Sequence, residues 1–378
     1  MDEDNGMSHK KTTGAKMRVG LLGCGKISQV YANGASLFEE IDLVACADLR
    51  PEAASALAEA NGLRALSVDE LTSAPDIDLV VNLTVPAAHA ATTESLLRAG
   101  KHVYSEKPLA VSVAEGRELL AVAASSGRRL GCAPDTILGG GLQTVRELLD
   151  AGRIGAVHGG SVCMMTRGPD RWHPNPSFFY LRGGGPVFDM GPYYLTALVH
   201  FLGPVRSVGA VARRTFDARQ AGDPADPRET FPVEVPTHYS GILVFEGGAV
   251  ISAMFSFDVA GHRHRPIELY GAEGTLIGPD PNTYRGPVEC RPAHGEWAEV
   301  PLERPFQEQS RGIGVAEMAR AIEAGVPHRC NAEVALHVLE VMEAFGRASD
   351  SGRFVELETR CEPPPALPAD FFATRESD

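Results

Sequence analysis

The stretch that decides the fold is Met17 to Ser28, which reads M-R-V-G-L-L-G-C-G-K-I-S. Its first part, Arg18 to Leu22, is a short apolar run typical of a buried strand. Gly23, Gly25 and Ser28 then follow the spacing G-x-G-x-x-G, with serine in the third place. A strand, a glycine turn and a helix start suit a bound pyrophosphate, because the helix N-terminus presents N–H groups and partial positive charge. The stretch therefore predicts a dinucleotide site.

The segments after this turn alternate between two patterns. Ile41 to Ala47 and Asp78 to Val85 are apolar and strand-like, whereas Ala53 to Asn61 and Ala88 to Ala99 are helix-compatible. Strands that alternate with helices indicate βαβ units. We therefore predict an α/β fold whose residues 17–136 form a Rossmann NAD(P)-binding domain with a doubly wound parallel sheet.

The pattern changes near Pro134. The clearest later feature is a hairpin, His238 to Phe245 and Ala249 to Val259, joined around two glycines. Hairpin-linked strands indicate antiparallel pairing. We expect residues 137–362 to form an α+β domain with a large, mostly antiparallel sheet, used for substrate binding and oligomerisation. Residues 1–16 are predicted to be a disordered extension and residues 363–378 an irregular tail.

Composition excludes several classes of function. The formal charge of −14 argues against nucleic acid and anionic membranes as partners. No apolar run approaches the ~18 residues of a membrane span. The seven cysteines are scattered without a C-x-x-C pair, which favours reduced thiols in a cytoplasmic protein. The histidines lack ligand spacing, so no metal is predicted.

Asp48 ends the second predicted strand, about 20 residues beyond the turn, where an acidic side chain meets the adenosine ribose diol. A carboxylate there repels a 2′-phosphate and favours NAD. Arg50 lies nearby and can pair with that phosphate instead, so NADP stays possible.

Three further segments carry a resemblance to a known family. They are T-V-P-A-A-H (Thr84–His89), A-G-K-H-V-Y-S-E-K-P-L-A (Ala99–Ala110) and G-G-G-P-V-F-D-M-G-P-Y-Y (Gly183–Tyr194). With the glycine turn, they make the chain resemble the glucose–fructose oxidoreductase / inositol dehydrogenase / MocA (Gfo/Idh/MocA) family over nearly all of residues 17–360. The resemblance implies hydride transfer between a nicotinamide cofactor and a ring carbon of a sugar or cyclitol.

The resemblance also implies which residues meet the cofactor. Glu106 would touch its ribose or nicotinamide, with an ion pair to a loop lysine as the alternative. For His89, packing at a helix start is an equal alternative. The predicted cofactor contacts are Gly23, Gly25, Lys26, Ile27, Asp48, Arg50, Thr84, Pro86, His89, Glu106 and Lys107.

Lys107 is the leading catalytic candidate, because an ammonium at a strand end beside the cofactor can stabilise a developing alkoxide. The family's D-x-G-x-H segment appears here with Asp189 but with Tyr193 in place of histidine. Tyrosine titrates near ~10 and needs a positive neighbour to act as a base. We predict Lys107, Asp189 and Tyr193 as the catalytic group, with Tyr194 or His173 as alternatives to Tyr193. Gly191 and Pro192 are expected to begin a helix.

The loop from Thr166 to Phe179 precedes the triple glycine and is rich in groups that bind sugars. Arginine and histidine donate to hydroxyls, and tryptophan offers an apolar face to a pyranose ring. A proline-stiffened surface loop is the alternative. The predicted substrate contacts are Arg167, Trp172, His173, Asp189, Tyr193 and Tyr194.

The sequence thus favours an NAD-dependent dehydrogenase or reductase that acts on a secondary hydroxyl or keto group of a sugar, glycoside or cyclitol. Two alternatives stay open on the same fold. One is an NAD-dependent glycosidase or lyase that works by transient oxidation and elimination, and the other is a non-catalytic nicotinamide-dependent regulator. By resemblance, we expect a homodimer or homotetramer.

Overall fold

A computed structural model describes residues 16–223 and 226–372. The predicted extension therefore lies outside the described residues except for Lys16, as do residues 373–378 of the predicted tail. Between Pro363 and Phe372 the chain forms neither helix nor strand. The proposed domain boundaries stay predictions.

The first sheet follows directly from the glycine-turn stretch. Its strands are β1 (Met17–Leu22), β2 (Ile41–Ala47), β3 (Arg64–Leu66), β4 (Leu79–Asn82), β5 (His102–Ser105) and β6 (Leu130–Cys132). All neighbours are parallel and the order is β3-β2-β1-β4-β5-β6. This is the doubly wound Rossmann order, so the predicted fold of the first half is confirmed.

Local sequence signals set the helices between these strands. The second of them begins with Pro51 in its first turn and ends at Gly62 in the left-handed conformation, and the third begins with a capping box between Ser67 and Glu70. The helices are α1 (Ser28–Ala35), α2 (Pro51–Asn61), α3 (Val68–Ser73), α4 (Pro86–Arg98) and α5 (Val113–Ser126).

The second half is built on a larger sheet. Its strands are β7 (Val157–Met165), β8 (Val205–Arg213), β11 (His238–Phe245), β12 (Val250–Ser256), β13 (Ile267–Gly271), β14 (Gly274–Gly278), β15 (Glu289–Pro292), β16 (Ala298–Glu299) and β17 (Val355–Glu356). A separate two-stranded ribbon contains β9 (Ala218–Asp223) and β10 (Asp226–Pro232). The remaining helices are α6 (Gly140–Asp150), α7 (Pro186–Leu202), α8 (Ile313–Ala324) and α9 (Ala332–Ser351).

The large sheet has nine strands in the order β16-β15-β14-β13-β7-β12-β11-β8-β17. Its neighbours pair antiparallel except β7 and β12, which are parallel. The predicted hairpin is β11–β12, and the mostly antiparallel sheet is confirmed. Helices α7 and α9 pack against each other and cover one face. On the other face Val211 and Ile242 are exposed, and Phe354 lies over Gly209.

The expected start of α7 is wrong. The helix begins at Pro186, after Gly185 at φ +90°, and Pro192 lies inside it. Pro186 supplies the favoured proline of the first turn, six residues before the one that the sequence suggested. Because Pro192 follows only about two turns of helix, it removes one backbone hydrogen bond and the helix continues. The earlier start places Asp189 in the first turn of α7.

Helices α8 and α9 return to the first sheet. Cys132 N donates to Cys330 O at 2.9 Å, and Gly131 forms a bridge with Asn331. The buried carboxylate of Asp135 accepts from Gly312 N at 2.9 Å and Gly314 N at 3.3 Å, at the start of α8. Among the described residues, no helix is long and apolar enough to cross a membrane.

Two histidines in this framework must be neutral. Val205 N donates to His337 Nε2, and Arg129 N donates to His102 Nδ1, both at 2.9 Å. A ring nitrogen that accepts from an N–H cannot carry a proton. Burial lowers the pKa of each histidine to about 4, and for His102 the charges of two neighbouring arginines add to the effect.

We expect acid to destabilise the fold between pH 6.5 and 4. In that range the unfolded chain binds a proton at each of these histidines, near pKa ~6.5, but the folded chain does not, so stability falls as pH falls. In His337→Gln the amide can accept from Val205 N without titrating. This variant should lose about 1.4 kcal/mol per pH unit less than wild type in that window. Urea midpoints at pH 7.5, 6 and 5 measure the difference.

His158 is exposed on β7, so His158→Gln is the matched control and should follow the wild-type pH dependence. Equal pH dependence in His337→Gln and wild type would contradict the neutral, buried state of His337.

Candidate active site

The glycine turn leaves room for a pyrophosphate. Gly23 has φ +102°, and a Cβ there would lie 2.7 Å from Leu83 O, so only glycine fits. A Cβ on Gly25 would meet nothing within 4 Å, which leaves open space beside the start of α1. Ile27 is the N-cap of that helix and gives no side-chain cap, so no side chain offsets the partial positive charge at the helix start. The turn fits a dinucleotide.

Asp48 closes the side of this turn. Its Oδ2 accepts from Cys24 N at 2.7 Å, and its Oδ1 accepts from Arg50 N at 2.9 Å and from Arg50 Nε at 3.4 Å. Burial alone would raise the pKa of Asp48, but these hydrogen bonds and the Arg50 charge hold it below the usual range. The ionised carboxylate therefore lies against the turn, and Arg50 is exposed beside it.

The two halves meet in an ion pair between Lys107 and Asp189. Lys107 follows β5, and its Nζ donates to Asp189 Oδ1 at 2.9 Å and to Asp189 O at 2.5 Å. The side chains are only 16% and 21% exposed. Burial alone would lower the pKa of Lys107, but Asp189, Tyr193 and Glu106 outweigh it and raise the pKa above the ordinary value. Lys107 is therefore an ammonium at neutral pH.

Tyr193 belongs to this group because of helix periodicity. It lies four residues after Asp189 in α7, so both side chains share one face. Its ring centroid is 5.1 Å from Lys107 Nζ. Tyr194 points elsewhere, and its hydroxyl donates to Asp280 Oδ1 at 3.2 Å. Tyr193 therefore lies with Lys107, whereas Tyr194 does not.

Glu106 is held by a buried network. Its Oε1 accepts from Tyr31 OH at 2.9 Å and from Arg311 Nη1 at 3.1 Å, and its Oε2 accepts from Lys107 N at 3.0 Å. Burial alone would raise the pKa of Glu106, but the charges of Arg311 and Lys107 and these hydrogen bonds lower it. Its ion-pair partner is thus Arg311, not a loop lysine. The network fixes the backbone from which Lys107 projects.

The ring of His89 contacts the backbone next to Lys107. Its Nδ1 lies 2.6 Å from Pro108 O and its Nε2 lies 2.9 Å from Thr84 O, and the ring is buried. Both ring nitrogens are occupied by the protein, which favours the packing role over a cofactor contact. Thr84 donates to Asn82 Oδ1 at 2.7 Å, and Pro86 begins α4. These residues lie at the carboxyl end of β4, beside the glycine turn.

The loop after β7 holds the predicted sugar-binding residues. Arg167 and Arg171 are exposed, and Trp172 is 66% exposed with its ring centroid 5.8 Å from Lys26 Nζ. His173 lies against Trp172 with a centroid separation of 5.5 Å. Burial lowers the pKa of His173, as do the charges of Lys26 and Arg228, while Asn175 N and Asp189 act in the opposite direction. His173 is therefore linked to the glycine turn through Trp172, whose ring lies near Lys26.

Arg311 is the site residue that sequence reasoning missed. It lies 205 residues from Glu106 in the chain. Its side chain is 6% exposed, and its Nε has no partner within the described residues. Gly34 makes the approach possible, because a Cβ there would lie 1.6 Å from Arg311 O. A lone arginine before an amphipathic helix gives no signal for this pairing.

Comparison with known proteins assigns the family. Residues 17–133 match the model described as "Oxidoreductase family, NAD-binding Rossmann fold", and residues 142–277 match the GFO/IDH/MocA C-terminal domain. The chain belongs to the GFO/IDH/MocA family. It is therefore an NAD(P)-binding oxidoreductase, and the resemblance seen in its sequence is confirmed.

Two curated relatives and one solved structure illustrate the range of similarity. The chain is 34% identical to inositol 2-dehydrogenase of Rhizobium meliloti (strain 1021) over 213 residues, which cover 56% of this chain and 62% of that relative, less than two thirds of its length. It is 30% identical over 319 residues to dTDP-3,4-didehydro-2,6-dideoxy-alpha-D-glucose 3-reductase of Streptomyces violaceoruber, covering 83% and 84% of the two chains. An NAD binding oxidoreductase from Klebsiella pneumoniae shares the fold, with a TM-score of 0.81 at 22% identity, covering 91% of this chain and 100% of that one.

We expect Asp48→Asn to shift binding towards NADP. The amide oxygen can still accept from Cys24 N, but the negative charge that repels a 2′-phosphate is gone and Arg50 stays. The ratio of NADPH to NADH affinity should rise about tenfold, measured by nucleotide fluorescence titration. Asp42→Asn, an exposed site on β2, the strand that precedes Asp48, is the control. An unchanged ratio in Asp48→Asn would remove Asp48 from cofactor discrimination.

Proposed function

We propose that this enzyme transfers hydride between NAD and a secondary hydroxyl or keto carbon of a sugar, glycoside or cyclitol. The observation that carries the proposal is the Lys107–Asp189 ion pair beside Tyr193, at the carboxyl ends of the parallel strands. Ligands of doubly wound sheets bind at those ends. The inositol dehydrogenase and the deoxyglucose reductase named above support a ring hydroxyl or keto group as the reacting centre.

Lys107 stabilises the reacting oxygen. Its raised pKa keeps it an ammonium, so it donates to the hydroxyl of the substrate and favours the alkoxide that develops as the C–H bond breaks. Asp189 holds Nζ in place through its side chain and its carbonyl oxygen. Because one N–H of the ammonium stays free after these two bonds, Lys107 can donate to a substrate without leaving Asp189.

Tyr193 exchanges the proton. In the oxidative direction the substrate hydroxyl proton goes to the deprotonated Tyr193 oxygen or to solvent, and in the reductive direction the phenol returns it to the keto oxygen. The ammonium of Lys107 lies 5.1 Å from the ring centroid of Tyr193, so both groups can meet the same substrate oxygen. Bound NAD⁺ supplies the hydride acceptor.

Other groups determine which substrate and which cofactor bind. Arg167 and His173 are proposed to donate to sugar hydroxyls, and Asp48 favours NAD over NADP. Glu106 and Thr84 border the proposed nicotinamide end. All seven cysteines lack disulfide partners, which supports the proposal of a cytoplasmic location.

The test is an absorbance assay at 340 nm with NAD⁺ or NADP⁺ and a panel of aldoses, glycosides and inositols. We expect stoichiometric NADH with at least one polyol. Cleaved product without net NADH would instead support elimination after transient oxidation, and nucleotide binding without turnover would support a regulator. Lys107→Met should lower kcat by about 100- to 1000-fold, because it removes the donor to the developing oxyanion.

Tyr193→Phe separates the proton-exchange role from packing. The ring and its contact with Lys107 stay, but the hydroxyl is lost, so we expect kcat to fall by at least about 100-fold. Tyr194→Phe is the matched control and should keep its turnover. Undiminished kcat in Tyr193→Phe would exclude its hydroxyl from the chemistry.

We propose further that two copies of the chain associate through the uncovered face of the nine-stranded sheet. Helices cover the opposite face, whereas this face exposes Val211 (70%), Ile242 (41%) and Phe354 (53%) around a shallow depression that includes Met254. An exposed apolar patch in the middle of a sheet favours association. A homodimer, or a tetramer of two such dimers, would bury it.

We expect Ile242→Glu to weaken this association, because each interface would then bury two unpaired charges. The molar mass from light scattering should fall from an oligomer to about 40 kDa, the monomer mass of 40.3 kDa. Val326→Glu, on an exposed site outside the sheet, is the control and should keep the wild-type mass. An oligomer that persists in Ile242→Glu would locate the interface elsewhere.

A further inference from the structure

The contact between Trp172 and Lys26 joins the two halves of the molecule. Lys26 lies in the glycine turn after β1, and Trp172 lies in the loop after β7. Lys26 Nζ is 5.8 Å from the centroid of the indole ring, within the range of a cation–π contact. Trp172 thus lies beside the side chain of a residue in the turn that fits the pyrophosphate, although its sequence context suggested a platform for a sugar.

The two-stranded ribbon holds this loop from its outer side. Arg228 on β10 donates from Nη2 to His173 O at 2.7 Å and from Nη1 to Pro174 O at 2.5 Å. These bonds fix the two residues that follow Trp172. Because Arg228 donates to backbone oxygens, it sets the position of the loop whichever side chains the loop carries.

A buried cluster fixes the base of the same loop. Arg219 on β9 donates to Phe257 O at 3.0 Å and pairs with Asp258, and its Nη1 lies 3.7 Å from Asp170 Oδ2. Asp170 also accepts from the hydroxyl of Tyr180. With both ends of the loop anchored, the indole has a defined place over the turn.

The residues next to Trp172 form a row of contacts across the cleft. Lys26 contacts Trp172, Trp172 contacts His173, and the charges of Lys26 and Asp189 both act on His173. Trp172 therefore lies between Lys26 and His173 in this row.

We propose that Trp172 is a cofactor-contacting residue that retains the dinucleotide over the glycine turn, with Lys26 between its ring and the pyrophosphate. The proposal rests on the proposed function only for the role of His173, because NAD binding follows from the family. The pyrophosphate attracts the Lys26 ammonium, and the electron-rich indole face stabilises the ammonium from the other side. The loop then slows release of the nucleotide and leaves the sugar to His173.

The test measures release of NADH without any sugar. Trp297→Phe is the background, since it leaves Trp172 as the only tryptophan, the chain having two. The rate of NADH release is measured in a stopped-flow instrument, in which excess NAD⁺ displaces the bound NADH. Trp172→Ala should release NADH roughly 2- to 30-fold faster, as expected for the loss of a cation–π contact, and Trp172→Phe should restore most of the retention. An unchanged release rate in Trp172→Ala would overturn the proposal.

A double-mutant cycle tests the contact itself. Lys26→Met should also speed release, and adding Trp172→Ala should have little further effect if the two side chains act together. Fully additive effects would overturn the shared contact. Trp172 is exposed, so folding of its variants is checked simply by their melting temperatures. Because no sugar is present, an enzyme that oxidised no polyol would refute the proposed function while leaving this test intact.

Discussion

The buried ion pair between Lys107 and Asp189 is the constraint on which the site depends. It joins the end of a parallel strand in one sheet to the first turn of a helix that covers the other. Each partner comes from a different half of the chain, so the reactive centre exists only when both halves are folded and docked. The earlier start of α7 is what brings Asp189 into the first turn and Tyr193 onto the same face.

The ion pair is one part of an alternating row of charges. Arg311, Glu106, Lys107 and Asp189 carry positive, negative, positive and negative charge, and each of them is mostly buried. Removing one member of such a row leaves a buried charge without its partner, which costs several kcal/mol. The row therefore limits which substitutions the site tolerates, and it holds the ammonium of Lys107 in its charged form. The surrounding groups thus set the chemistry as much as Lys107 itself.

Much of the fold could be predicted from patterns within short stretches of the sequence. The glycine turn, the alternating elements and the hairpin were readable because each depends on residues close together in the chain. Lys107 and Asp189 were found by resemblance. Arg311 was missed because its partner lies 205 residues away. The start of α7 was misplaced because two prolines both fit a first turn, and only packing decides between them. The side of the cleft to which Trp172 belongs depends on Lys26 and on a ribbon that the sequence did not reveal.

The carboxylate of Asp135, which follows the last strand of the first sheet, binds groups from the second half of the chain. It accepts from the N–H groups of Gly312 and Gly314 at the start of α8 and from the hydroxyl of Tyr284, which lies between β14 and β15. Helix α8 then lies against β2 and β6, so the nucleotide-binding layer is finished by residues near the end of the polypeptide. A gene fragment ending near residue 136 would encode every strand of the first sheet and still lack the helix that covers part of it. Each half therefore depends on the other for part of its packing, and neither is an independent folding unit.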